Sequence, residues 1–212
     1  METRARIAPT GTAVDAPAPW RRAIAFLLKL GYPAVILCAW RLGEPRFAGL
    51  ALLAVLWLQR WLGAGALSSM LKELSSLDWC VMLILSAVSA SIAISGSVIA
   101  LRMYPAVVNL GLFAAFAATL VRSPSMIERY ARLREPNLSA AAVRYTRGVT
   151  KMWCGFFIAN AAFSAYTACC FSHDAWARYN GLVVYVLIGG LIVGEFAWRH
   201  WIIKPVRQAS TQ

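Results

Sequence analysis

Two charged residues one helical turn apart, Glu195 and Arg199, close the otherwise apolar stretch "GGLIVGEFAWR". A carboxylate within a lipid-facing helix is a candidate acid, base or substrate contact, because its charge is costly there unless it is used or paired. The i to i+4 spacing to Arg199 also offers a plainer role, an ion pair at the membrane boundary. The second chemical feature is cationic. Residues 121–151, "VRSPSMIERYARLREPNLSAAAVRYTRGVTK", hold seven of the 21 Lys and Arg residues. Arg129 and Arg132 fall on one short helical segment, while Arg144, Arg147 and Lys151, three and four apart, form a stripe on the next. Two such faces suit phosphate, an acidic protein or anionic lipid, since guanidinium groups grip oxyanions through parallel N–H donors. A third set consists of Asn109, Asn160 and Asn180 with Tyr166 and Tyr185. These could line a polar cavity for a headgroup or an acyl thioester, or simply bond helix to helix.

Other chemistry is poorly provided for. Cys38, Cys80, Cys154, Cys169 and Cys170 all fall within apolar runs and none forms a C-x-x-C pair. They read as small buried hydrophobes. With only His173 and His200 beside them, no metal site of recognisable spacing is expected. The chain has no G-x-S-x-G, P-loop, dinucleotide fingerprint or H-E-x-x-H, so no cofactor is implied. Nucleic acid is a poor fit as well, because no aromatic stacking platform accompanies the charge.

The elements that must position these residues are set by composition. Of 212 residues 60% are apolar and 14% charged, too hydrophobic for one soluble core of this size. The expected class is all-α, a polytopic transmembrane bundle of about six spans. The spans are expected at about 23–40, 47–63, 79–101, 105–121, 152–171 and 176–198, each near the roughly 20 apolar residues that crossing requires. The first reads as a retained span, having no convincing cleavage site. Together they make a single domain over 20–204, flanked by a Pro- and Ala-biased tail at 1–19 and a short one at 205–212. With both termini cytoplasmic, sixteen cations fall inside and four outside, with Lys29 within a span, which obeys the positive-inside bias. Residues 122–151 then form a basic cytoplasmic hairpin between the fourth and fifth spans. Ser123 with Pro124 is expected to start its first helix, of about three turns, which Pro136 ends; Ser139 is expected to cap the second. Gly190 and Gly194 read as a small face for close helix packing.

The stretches "LRMYPAVVNLGLF", "PSMIERYARLREPNL", "AVRYTRGVTKMWCGFFIANAA" and "ARYNGLVVYVLIGGLIVGEFAWR" resemble a family of bacterial polytopic inner-membrane proteins. Its genes lie beside fatty-acid-synthase-like sets for aryl polyene pigments of the xanthomonadin kind. The resemblance covers roughly residues 100–200 and implies a location and a pathway rather than a reaction. Two labels carried by members of that family, ketosynthase and gyrase subunit, fit these residues badly, since neither a Cys-His nucleophile site nor an ATP-binding motif is present. What the resemblance implies is an accessory protein that helps assemble, hand over or move an acyl or polyene lipid. An acidic acyl carrier protein, or anionic lipid, would dock on Arg129, Arg132, Arg144, Arg147 and Lys151. Two alternatives stand beside it: an intramembrane enzyme using Glu195 on a lipid-linked substrate, and a scaffold for other subunits of a membrane complex.

Overall fold

The computed structural model describes residues 44–61, 75–199 and 201. Its regular elements are all helical: α1, Pro45–Trp61; α2, Ser75–Ser95; α3, Val98–Val121; α4, Met126–Arg132; α5, Ala140–Cys170; α6, His173–Arg178; and α7, Val184–Trp198. A π-helical turn, Tyr179–Val183, joins α6 to α7. Four helices are long and apolar enough to cross a membrane: Ser76–Ser95, Val98–Val121, Ala140–Cys170 and His173–Trp198. Their outer faces carry large exposed apolar side chains such as Leu83, Ile94, Val186 and Val193, the surface of a membrane protein. The expected first span and both tails lie outside the described residues, as do Cys38 and His200.

Several boundaries differ from the expected ones. Gly96, at φ +64°, takes the left-handed conformation that ends α2, and Ser97 then caps α3, its Oγ accepting from the Ala100 N–H at 3.3 Å. The run expected to continue to residue 101 is therefore split at Gly96. Pro105, expected to open a span, sits inside α3. An uninterrupted apolar run hid the break, because hydropathy does not register a single left-handed glycine. The fifth span is longer than expected, since α5 continues without interruption from the Ser139 cap to Cys170. At 17 residues, α1 is about 26 Å long.

Close approach fixes α1 against α2. A Cβ at Gly49 would stand 2.5 Å from Ala93 N and 2.7 Å from Ser89 O, so the two backbones are in contact. At the other end of the pair, Arg60 in the last turn of α1 is ion-paired with Asp78 in the first turn of α2 and lies 4.3 Å from the Trp79 ring centroid. Each charge sits at the helix end whose dipole favours it. Between these points Ala48, Leu52 and Ile92 pack with Leu101 and Tyr104 of α3. The α3 and α5 helices run antiparallel, with Phe116 and Phe157 edge to face at 5.1 Å.

The far end of that pair is closed by an arginine. Arg102 donates from one Nη to the carbonyls of Thr167, at 2.9 Å, and Phe171, at 2.5 Å, so it satisfies the Phe171 carbonyl just past α5 and adds a second donor to that of Thr167, which also accepts the Phe171 N–H. Its own carbonyl accepts from the indole N–H of buried Trp176 at 2.9 Å. These bonds hold the turn from α5 into α6 against α3.

Glycine substitutions should separate contact from open space. Gly49→Ala should cost about 1–3 kcal/mol, because backbone atoms cannot yield as a side chain would. Gly155→Ala, whose Cβ meets nothing within 4 Å, should leave stability unchanged or slightly raised. Thermal unfolding of the two purified variants in one detergent checks the contrast; equal midpoints would contradict the packing of α1 on α2.

Candidate functional site

A polar seam crosses the apolar interior where α3, α5 and α6 meet. Asn160 of α5 donates to Asn109 Oδ1 at 2.9 Å, and Asn109 donates to the Pro105 carbonyl at 2.8 Å. The Tyr179 hydroxyl donates to Asn160 Oδ1 at 2.7 Å. One turn further along α5, the Ser164 hydroxyl is bonded to Asn180 Oδ1, and Asn180 donates to the Trp176 carbonyl at 3.0 Å. All three asparagines and Ser164 are buried. The amides are thus occupied by one another and by backbone, leaving them in helix-to-helix bonding. Tyr166 and Tyr185 lie outside this seam, both exposed, with Tyr166 against the rings of Phe163 and Phe171.

The opposite end of α3 and α5 carries the basic segment. Ser125, rather than Ser123, is the N-cap of α4, which spans two turns rather than three. The Met126 N–H donates to Thr119 Oγ1 of α3 at 2.9 Å and the Ile127 N–H to Thr150 Oγ1 of α5 at 3.3 Å. Two orphan donors of a helix start are thereby spent on docking it to the bundle. Buried Glu128 accepts from the Ser125 N–H at 3.3 Å and from Arg132 through Nε and Nη2, at 3.0 and 2.7 Å. Arg129 donates to the Pro124 carbonyl at 3.0 Å, and Arg147 to the Leu120 carbonyl, near the carboxyl end of α3, at 2.7 Å. Three of the five expected anion-binding cations therefore brace the α4 corner. Arg144 and Lys151 differ from them: both are exposed and neither has a hydrogen bond or ion pair among the described residues.

Beside this corner α5 and α7 diverge. The α7 helix buries only Val184 of its fifteen residues. It is tied to α5 near its start by the Ser164–Asn180 bond and near its end by the Tyr145 hydroxyl, which donates to Glu195 Oε1 at 3.0 Å. Between the ties lies an almost wholly apolar groove of about 850 Å³. Tyr145, Gly148, Val149 and Met152 line its α5 wall, and residues from Val186 to Trp198, including Gly190, Gly194 and Glu195, line the α7 wall. A Cβ at Gly148, Gly190 or Gly194 would meet nothing within 4 Å. Among the described residues no helix packs against Gly190 or Gly194, which border a groove instead of the close contact expected of them.

Glu195 stands at the mouth of that groove. Arg199 Nε is 3.6 Å from the same oxygen that Tyr145 contacts, so the carboxylate has a donor from α5 and a cation on its own helix. Tyr145 lies about 7 Å along the helix from Thr150, on the side away from the bundle centre, so Glu195 belongs to the α4 end. Among the described residues no three His, Cys, Asp or Glu side chains gather to hold a metal. Of the four described cysteines, Cys80, Cys169 and Cys170 are exposed, contrary to the expected burial, and Cys154 is buried.

Of the residues singled out from the sequence, the structure brings together Asn109, Asn160 and Asn180 in the seam, and Glu195 with Arg199 at the groove. It does not bring Tyr166 and Tyr185 to either. Tyr145 and Gly148 were passed over; Tyr145 meets Glu195 across 50 positions, a separation that no local spacing reveals. No family model, curated protein or solved structure matches this chain.

Coupling within the seam is measurable. Asn160→Leu should cost about 1–2 kcal/mol, since it strands the Asn109 carbonyl oxygen and the Tyr179 hydroxyl inside the bundle. Asn109→Leu should cost about as much, and the double variant clearly less than the sum. Additive losses in detergent unfolding would show that the two amides act separately.

Proposed function

We propose that this is a six-span protein of the bacterial inner membrane, with both termini cytoplasmic, that assists the assembly, hand-over or movement of an acyl or aryl-polyene lipid by holding its chain in the α5–α7 groove. The groove itself carries this reading: an elongated apolar space, floored by glycines, whose one polar end is Tyr145, Glu195 and Arg199. Such a space suits a chain with a polar terminus, because apolar walls bury methylenes while a few fixed polar groups set orientation.

The topology rests on charge and length. Placing the α4 corner in the cytoplasm keeps its cations on the positive-inside face and leaves Arg102 and Arg178 at the other surface. The short α1 is the second span; Arg60 can snorkel and Trp57 and Trp61 sit at headgroup depth. The resemblance of residues 100–200 to the aryl polyene-associated family suggests the lipid. An acidic acyl carrier protein would meet the α4 corner, where Arg144 remains exposed beside the braced arginines.

Glu195 as an intramembrane acid or base is the weaker alternative. Tyr145 donates to its carboxylate and Arg199 lies 3.6 Å away, so the group is engaged in bracing α5 to α7 across the groove mouth.

Filling the groove should separate holding from chemistry. In a strain lacking the protein, Gly190→Leu should fail to restore the finished lipid, with precursor accumulating or product stranded in the inner membrane, although the variant inserts at normal level. Glu195→Gln should restore most of it. Mass spectrometry of inner- and outer-membrane lipid extracts reads both; full restoration by Gly190→Leu would sink the holding role.

A further inference from the structure

One residue joins the groove to the exposed cations of α5. Gly148 lines the groove, and on the same face of α5 it is bracketed by Arg144 one turn before it and Lys151 one turn after it. Those two residues are about 10 Å apart along the helix, and the surface between them bears no Cβ, with nothing within 4 Å of where one would be. Arg144 and Lys151 flank the α5 wall on either side of Gly148, and on α7 Arg199 lies 3.6 Å from Glu195, the carboxylate of the groove.

The length of the groove identifies the kind of occupant. From Val186 to Trp198 its α7 wall runs about 18 Å, close to the roughly 15 Å depth of one hydrocarbon leaflet. A transmembrane helix would need a seam along the full span, whereas this space ends at Met152 on α5 and Val186 on α7, short of the Ser164–Asn180 bond. One leaflet, one apolar slot and an excess of cations at its polar end describe a single lipid.

We infer that the α5–α7 groove is a site for an anionic lipid, with one acyl chain between the helices and its phosphate over Gly148, between Arg144 and Lys151. Arg199 adds attraction from the α7 side, partly offset by Glu195. Gly148 lets the headgroup approach the helix backbone, and Gly190 and Gly194 leave room for the chain below. The inference rests on the chain-holding role and adds the charge class of the molecule held. It also separates the cations into two jobs: Arg129, Arg132 and Arg147 build the corner, while Arg144 and Lys151 recognise.

The test uses the full chain in vesicles that mix ordinary lipid with increasing fractions of lipid brominated on its acyl chains, bearing either phosphatidylglycerol or phosphatidylcholine headgroups. Trp198 lines the groove, and its contribution to fluorescence quenching is the difference between wild type and Trp198→Phe. Brominated phosphatidylglycerol should quench it at a fraction roughly thirty-fold lower than brominated phosphatidylcholine, as two headgroup cations predict. The Arg144→Gln/Lys151→Gln double variant should lose that preference, and the charge-keeping Arg144→Lys/Lys151→Arg exchange should retain it. Equal quenching by both lipids in wild type would overturn the anionic site while leaving the chain-holding role intact. Absence of Trp198-specific quenching by either lipid, as a helix or another copy seated in the groove would produce, would overturn both.

Discussion

The hydrogen bond from Asn160 to Asn109 is the constraint on which most of this bundle depends. In hydrocarbon a polar side chain has no water to turn to, so an amide on one helix must find its partner on another. That requirement sets Asn109 of α3 opposite Asn160 of α5, and antiparallel geometry then places Thr119 near Thr150 and Arg102 near Thr167. Both ends of the pair inherit their chemistry from this alignment. At one end two threonines receive the first N–H groups of α4; at the other an arginine receives the last carbonyls of α5. A slip of one turn would strand all of these groups together, which makes the alignment far more specific than apolar packing alone.

The same seam explains why α7 can stand apart. Tyr179 and Asn180, at the π-helical turn, are bonded into α5, so the last helix is anchored before it begins. Beyond that point α7 presents glycines and aliphatic side chains to α5 and gains little from closing on it. Lipid is as good a solvent as a neighbouring leucine, so no hydrophobic force drives the two helices together. The groove is bounded by two polar ties, with glycines and aliphatic side chains along its α7 wall.

Much of this was legible in the chain. Hydropathy alone indicates an all-helical membrane protein, and the Ser139 cap correctly foretells a helix that runs on into the next apolar stretch. Sequence pattern failed where backbone conformation or distant pairing decided the outcome. The end of α2 depends on the left-handed φ of Gly96, and the start of α4 on Ser125 meeting Glu128. The arginines read as two free basic faces because spacing gives a residue's side of a helix but not whether a carbonyl waits there. Leu120 and Pro124 supply such carbonyls to Arg147 and Arg129. Glycine was ambiguous for the same reason. In Gly49 the missing Cβ admits another backbone, in Gly190 it admits space, and only the partner helix tells them apart.

Those two uses of glycine give the molecule a division of labour. Where α1 meets α2, removing a side chain brings helices into contact and an ion pair between Arg60 and Asp78 fastens the end. Where α5 meets α7, removing side chains keeps the helices apart, and the Tyr145–Glu195 bond spans the opening without filling it. A protein selected only to be rigid would fill that space with leucine, since a methylene buried from a poorly packed gap recovers dispersion energy at no cost in charge. Here the gap instead adjoins Arg144 and Lys151, two exposed cations with no ion pair among the described residues. Close packing through the first five helices supplies the α5 wall of the groove, and the seventh, with only Val184 buried, supplies the other.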